Sequence, residues 1–160
     1  MEVKQFLPLA LLAAAGGEIR GKTRLQKLAF LARQELQEEY EIAPHEFDPY
    51  DYGPFSKELM EDIETLEDDG LVEIGVRRTF GGDERFDYRL TPSGHETYRE
   101  NRPDSGWEPG DEPSDGPERF ACVEHVAEAV VQQFGEMPLS NLIDRVYEEY
   151  PEYAKNSVFY

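Results

Sequence analysis

Three segments with apolar residues at helical spacing are followed, after Gly70, by two short runs in which apolar and polar residues alternate. That order restricts the chain to a handful of small α+β folds. The first segment, about Phe6 to Ala15, stops at Gly16-Gly17, with Pro8 expected in its first turn, where proline is tolerated. Thr23 is the expected N-cap of the second, in which Leu25, Leu28, Ala29, Ala32 and Leu36 share one face. Phe30 and Leu31 lie off that face, which predicts contact on more than one side. Ser56 caps the third, which points Leu59, Ile63 and Leu66 inward and stops at Gly70. Leu71 to Val76 and Arg85 to Leu90 read as partner strands joined through Gly81-Gly82-Asp83, with Phe86, Tyr88 and Leu90 alternating against Asp87 and Arg89. Glu18 to Lys22 leaves room for a small edge strand, and Thr91-Pro92 opens a short helix to about Glu100. The expected fold class is α+β, a winged-helix-like core of three helices and a β-hairpin over residues 1–100.

The remainder divides by composition. Residues 101–117 carry four prolines, three glycines and five acidic residues, with Trp107 the one large apolar group, and read as an acidic linker or mobile loop. Residues 118–160 hold two additional amphipathic helices. One is marked by Phe120, Val123, Ala127, Val130 and Phe134, the other by Leu139, Leu142, Ile143, Val146, Tyr147 and Tyr150, ending at Pro151. These helices are expected to pack back on the core or to mediate a homodimer. The start of the chain, Lys4 with Phe6 to Ala15, has the outline of a short signal peptide, but the very apolar segment from Thr23 to Leu36 needs a neighbour to pack against. A core helix is the preferred reading, and ten apolar residues are too few for a membrane span, which needs about 20.

Thirty-five acidic residues oppose sixteen basic ones, of which only five are lysine, for a net charge of −19. The acidic excess is spread along the chain, as expected of a protein adapted to a very salty cytoplasm, and not gathered in one interaction tail. In molar salt the screening length falls to about 3 Å, so net charge neither excludes DNA nor recommends it. Cys122, the single cysteine, excludes an internal disulfide and points to a reducing compartment, and a cytoplasmic location is expected.

Three stretches carry a resemblance. They are Gly17 to Leu31 with Leu25-Gln26-Lys27-Leu28 at its centre, Tyr52-Gly53-Pro54-Phe55-Ser56-Lys57-Glu58-Leu59, and Tyr88-Arg89-Leu90-Thr91-Pro92-Ser93-Gly94. The first two together resemble the YwgA-like proteins and, more distantly, the SocA-like "Panacea" antitoxin domain. The third, with Gly70-Leu71-Val72, looks like the wing of many winged-helix regulators. The resemblance spans roughly residues 6–100 and, more weakly, the final helices. YwgA-like proteins carry no assigned activity, whereas SocA-like antitoxins bind a toxin protein, so the resemblance implies a protein partner.

Two surfaces are candidates for function. Residues 1–34 hold six basic groups against two acidic ones, which marks Arg20, Lys22, Arg24 and Lys27 as phosphate contacts, with Arg77, Arg78 and Arg85 joining them from the wing. The alternative is that these cations pair with acidic neighbours, the wing arginines with Glu73, Asp83, Glu84 and Asp87. The third helix speaks against major-groove reading, since its outward positions are expected to include Glu58, Glu61, Asp62, Glu64, Glu67 and Asp68. Tyr50, Tyr52 and Phe55, with Phe47, line either a partner-binding surface or a connection locked onto the core. No catalytic set, metal site or cofactor motif is expected. His45 with Glu46, Asp48 and Asp51 lacks a second histidine or cysteine, and Cys122 near His125 reads as inert core. The expected function is that of a non-enzymatic winged-helix regulator that binds DNA, with an antitoxin-like or adaptor protein as the alternative.

Overall fold

The helix over Val3–Ala14 (α1) is apolar on every side because every side is covered. The computed structural model describes residues 1–102, 106–114 and 116–155, and within it Phe6 to Leu12 are buried without interruption. The helix begins earlier than its apolar run because Gln5 accepts from the Glu2 N–H at 3.4 Å across the first turn. Pro8 therefore lies in the second turn, not the first. Its ring is part of the core, and the helix forgoes one N–H donor there.

Strand Glu18–Arg20 (β1) leads directly into helix Lys22–Tyr40 (α2). Gly21 ends the strand by donating to the Phe86 carbonyl at 2.8 Å, and its own carbonyl accepts from Leu25 N at 3.2 Å. That places the helix start at Lys22, so Thr23 is not the N-cap. As expected, α2 is buried on more than one side, with Leu25 to Ala32 and Leu36 all inside. A small hairpin follows, Asp48–Tyr50 (β2) and Gly53–Phe55 (β3), and then helix Lys57–Asp68 (α3). The Ser56 hydroxyl accepts from Leu59 N at 3.0 Å, which is the expected cap.

Strands Val72–Arg78 (β4) and Glu84–Leu90 (β5) form the wing, and β1 adds to the far side of β5 to give an antiparallel sheet in the order β1-β5-β4. Ile19 faces Tyr88 in that register, and Val72 faces Leu90. Helix Pro92–Asn101 (α4) is anchored by Thr91, whose hydroxyl accepts from Gly94 N at 2.9 Å and donates to the Gly70 carbonyl at 2.6 Å. A side chain at position 94 would collide with the Leu71 carbonyl, so the Thr-Pro-Ser-Gly sequence is a packing requirement of the wing base. Three helices and a three-stranded sheet, with the first strand paired to the last, make the molecule an α+β protein of winged-helix-like form.

Helices Pro117–Phe134 (α5) and Leu139–Glu149 (α6) pack back on this core, α5 against α1 and α2, α6 against α2 and β3. Phe6 stacks on Tyr98 at 5.5 Å and meets Phe120 edge-on at 5.1 Å, so one cluster joins α1, α4 and α5. Trp107 changes the reading of the acidic segment. It is half-buried between Tyr40 and His125, and its Nε1 donates to the Asp111 carbonyl at 3.0 Å. One indole thus fastens residues 106–114 to α2 and α5. Residues 103–105 and 115 of the expected linker lie outside the described residues. Among the described residues no helix is long and apolar enough to cross a membrane.

Candidate functional site

Gln26 and Lys27 interrupt an otherwise apolar stretch of α2, and both are buried. Gln26 bonds the backbone of Ser56 in both directions: Ser56 N donates to its Oε1 at 2.8 Å, and its Nε2 donates to Ser56 O at 3.0 Å. The Nζ of Lys27 donates to the Pro54 carbonyl at 3.1 Å. At Gly53 the backbone has φ 99°, and a Cβ there would lie 3.0 Å from Tyr147 Cε1 and 3.2 Å from Lys27 Cε. Only glycine fits that conformation and that closeness. The Leu-Gln-Lys-Leu and Tyr-Gly-Pro-Phe-Ser motifs are therefore one device, in which α2 holds the β2–β3 hairpin and presents Ser56 to cap α3.

The hairpin and α2 border an open cavity of about 370 Å³ whose lining includes Lys22, Lys27, Tyr50, Tyr52, Phe55 and Lys57. Tyr50 and Tyr52 are each 51% exposed, while Phe55 is half-buried and meets Tyr50 edge-on at 5.3 Å. Phe47 is buried beside Phe30, so the aromatic run splits into a part that locks the connection and a part that faces outward. Three of the five lysines in the chain line this cavity, with Asp51 the one carboxylate among the described lining residues. Burial holds the Lys27 ammonium below its ordinary range, at about 8.

The other candidate cations are distributed differently. Glu18 accepts from Arg20 at 2.7 Å and from Arg89 at 2.6 Å, and these two hydrogen bonds hold its carboxyl down at about 2. Asp87 accepts two bonds from Arg85, at 2.9 and 3.0 Å, and lies 3.5 Å from Arg77, the residue opposite Arg85 in the sheet register. That pairing explains why Asp87, expected on the outward face of its strand, is buried. Arg24 turns inward and donates to the carbonyls of Gly135 and Met137 at 3.1 and 2.7 Å, where α5 ends. Lys22 is exposed over the Phe86 ring, 4.8 Å from its centroid, and Arg78 is exposed at the end of β4 opposite Glu84. Lys27 does not share a surface with the wing arginines.

His45 does not gather the loop carboxylates Glu46, Asp48 and Asp51. Its Nε2 meets Asp62 Oδ2 at 2.8 Å, with Glu58 nearby, and the imidazole has no exposed surface (0%). Asp62, expected on the outward face of α3, turns inward to make this contact. Burial holds the imidazole below its ordinary value against the opposing pull of Asp62. The pair, with Arg33 Nε donating to the His45 carbonyl at 3.0 Å, pins the connection after α2 to α3. Cys122 is buried and its thiol is pushed up to about 12 by burial, as expected of inert core.

The sequence left the Gln26 amide without a role, placed Lys27 among the phosphate contacts and set His45 beside the loop carboxylates, whereas all three are buried groups that hold one element to another. Polar groups inside the apolar stripe of α2 were the available signal, since such groups fold only with partners. The chain is similar to the uncharacterized protein YwgA of Bacillus subtilis (strain 168), with 33% identity over 92 residues, 58% of this chain and 52% of that protein. The chain thus spans about half the length of this curated relative. No family model matches the chain. The similarity supports a YwgA-like relationship.

Proposed function

We propose that the chain is a non-enzymatic regulatory module of winged-helix form that acts by holding a protein partner, with the β2–β3 hairpin and the start of α2 as the contact. The observation that carries this reading is the outward aromatic pair Tyr50 and Tyr52 over a cavity rimmed by Lys22 and Lys57. The opposite signs on the conventional DNA-reading surface add to it. The exposed face of α3 carries Glu61, Glu64, Glu67 and Asp68, and these carboxylates would meet phosphates in a major groove. Arg20, Arg77 and Arg85 are held by carboxylates of their own sheet, and an exposed group must give up such a bond to reach DNA. The non-enzymatic reading draws on the His45–Asp62 pair, which a substrate cannot reach.

The test is capture from cells in high-salt buffer with the tagged full chain, comparing the native protein with Tyr50→Ala/Tyr52→Ala. A stoichiometric protein retained by the first and lost by the second supports the reading; no retained protein sinks it. DNA contact is the second reading, and one observation favours it: Arg20, Lys22, Arg24 and Arg85 line an open cavity of about 630 Å³ at the N-terminus of α2. It predicts anisotropy changes with labelled genomic DNA that persist in molar KCl and weaken in Lys22→Glu/Arg78→Glu, two exposed cations whose reversal leaves the fold intact.

A further inference from the structure

Lys27 sits where an ammonium group is costly. The residue is 2% exposed, and among the described residues its Nζ has one acceptor, the Pro54 carbonyl at 3.1 Å. Among the described residues no carboxylate reaches ion-pair distance of it, and desolvation acts on it without an opposing charge. An ammonium carries three hydrogens, so two are left without an acceptor among the described residues. A buried cation is normally paired, because taking a charge out of water without a counter-ion is expensive. Methionine, unbranched and one atom shorter, would fill most of the space without that cost. What the lysine adds is positive charge at one wall of the cavity beside it.

The rest of that cavity has a consistent character. Tyr50, Tyr52 and Phe55 supply aromatic wall, and Lys22 and Lys57 are two further ammonium groups on its lining, both exposed. In a chain of 35 acidic and 16 basic residues, three ammonium groups to one carboxylate is a local inversion of sign. We propose that this cavity receives a carboxylate carried on an apolar body, the carboxylate meeting Lys27 Nζ and the body lying against Tyr50, Tyr52 and Phe55. Two carboxylate oxygens match the two remaining hydrogens of Nζ. A phosphate dianion has no apolar body to lie against the aromatic wall. The volume, about 370 Å³, falls in the range of sites that enclose one small group and not an extended surface. An ion pair to the buried Lys27 is also screened less by salt than one between two exposed groups. The inference rests on the partner reading for its source: the carboxylate belongs to an acidic residue flanked by an apolar one on the protein partner.

The probe is phenylacetate, with phenylacetamide as its neutral isostere, titrated into the ¹⁵N-labelled full chain and followed at the amides of Gly53 and Phe55. Phenylacetate should shift both saturably, and phenylacetamide should bind at least about tenfold more weakly. Lys27→Met should erase that difference while the rest of the spectrum stays native. Equal binding of the two probes, or a preference that survives in Lys27→Met, overturns the proposal, as does inorganic phosphate competing as well as phenylacetate. Should Lys27→Met fail to fold, Tyr50→Ala, a change at an exposed ring, should weaken phenylacetate binding several-fold, and no change there overturns the proposal equally. The two readings fail separately. Probe discrimination without any captured protein keeps the carboxylate site and removes the partner; a captured protein that excess phenylacetate does not release keeps the partner and removes this site.

Discussion

Gln26 shows how much one buried amide can hold. Its side chain satisfies both the N–H and the C=O of Ser56, and Ser56 in turn caps α3, so one residue of α2 positions the hairpin and the next helix together. Gln26→Ala would leave the Ser56 N–H unpaired and its C=O with only the longer bond from Met60 N at 3.4 Å, at about 1–3 kcal/mol for each bond lost. A loss of about 2–4 kcal/mol in urea unfolding is expected, and Gln26→Glu should recover only the half in which Ser56 N donates. That the position mattered was legible, since a glutamine followed by a lysine within an apolar stripe demands partners. Which backbone they would find was not. Ser56 is thirty positions away, and helical periodicity speaks only to neighbours within a few turns.

Elements were read with uneven success, and the misses share a cause. The helices, the wing and the added edge strand follow from periodicity and punctuation, and the Ser56 and Thr91 caps follow from local chemistry. Asp62 and Asp87 were both expected to face water because carboxylates usually do. Each is buried because a cation or imidazole from another element meets it, Asp87 through Arg85 and Arg77, Asp62 through His45. The Asp62 contact makes the packing of the α2–β2 connection on α3 sensitive to acid. The folded imidazole binds a proton less readily than its ordinary value of 6.5, so on acidification the unfolded chain protonates first. Stability contributed here is complete above that value and is lost as pH falls through it. The melting temperature should therefore drop between about pH 7.5 and about pH 5.5, and His45→Gln should flatten that part of the profile. An unchanged slope in the variant would assign the sensitivity to other groups.

At the scale of the whole molecule, charge works against compactness. A net charge of −19 on a chain of 160 residues repels itself at low salt, and molar salt shortens the screening length to about 3 Å. The melting temperature is expected to rise steeply from about 0.1 to about 2 M KCl, and a flat response would remove the basis for the salt-adapted reading. The way the core closes has a similar logic of surplus. Residues 1–100 leave the faces of α1 and α2 too apolar to stand alone, and α5 and α6 cover them, with Trp107 fastening the acidic segment on the way. By itself, the sequence determined the order of the helices and wing strands, the α+β class and the acidic surface, because each depends on local spacing, turn chemistry or composition, while the β2–β3 hairpin was read only as a connection. Only the tertiary structure decided which cations remain available, that Lys27 lines a cavity with Tyr50 and Tyr52, and that His45 answers to α3. Those outcomes depend on which distant groups meet when apolar faces are buried, and a buried charge or amide takes whatever partner the packing brings within about 3 Å.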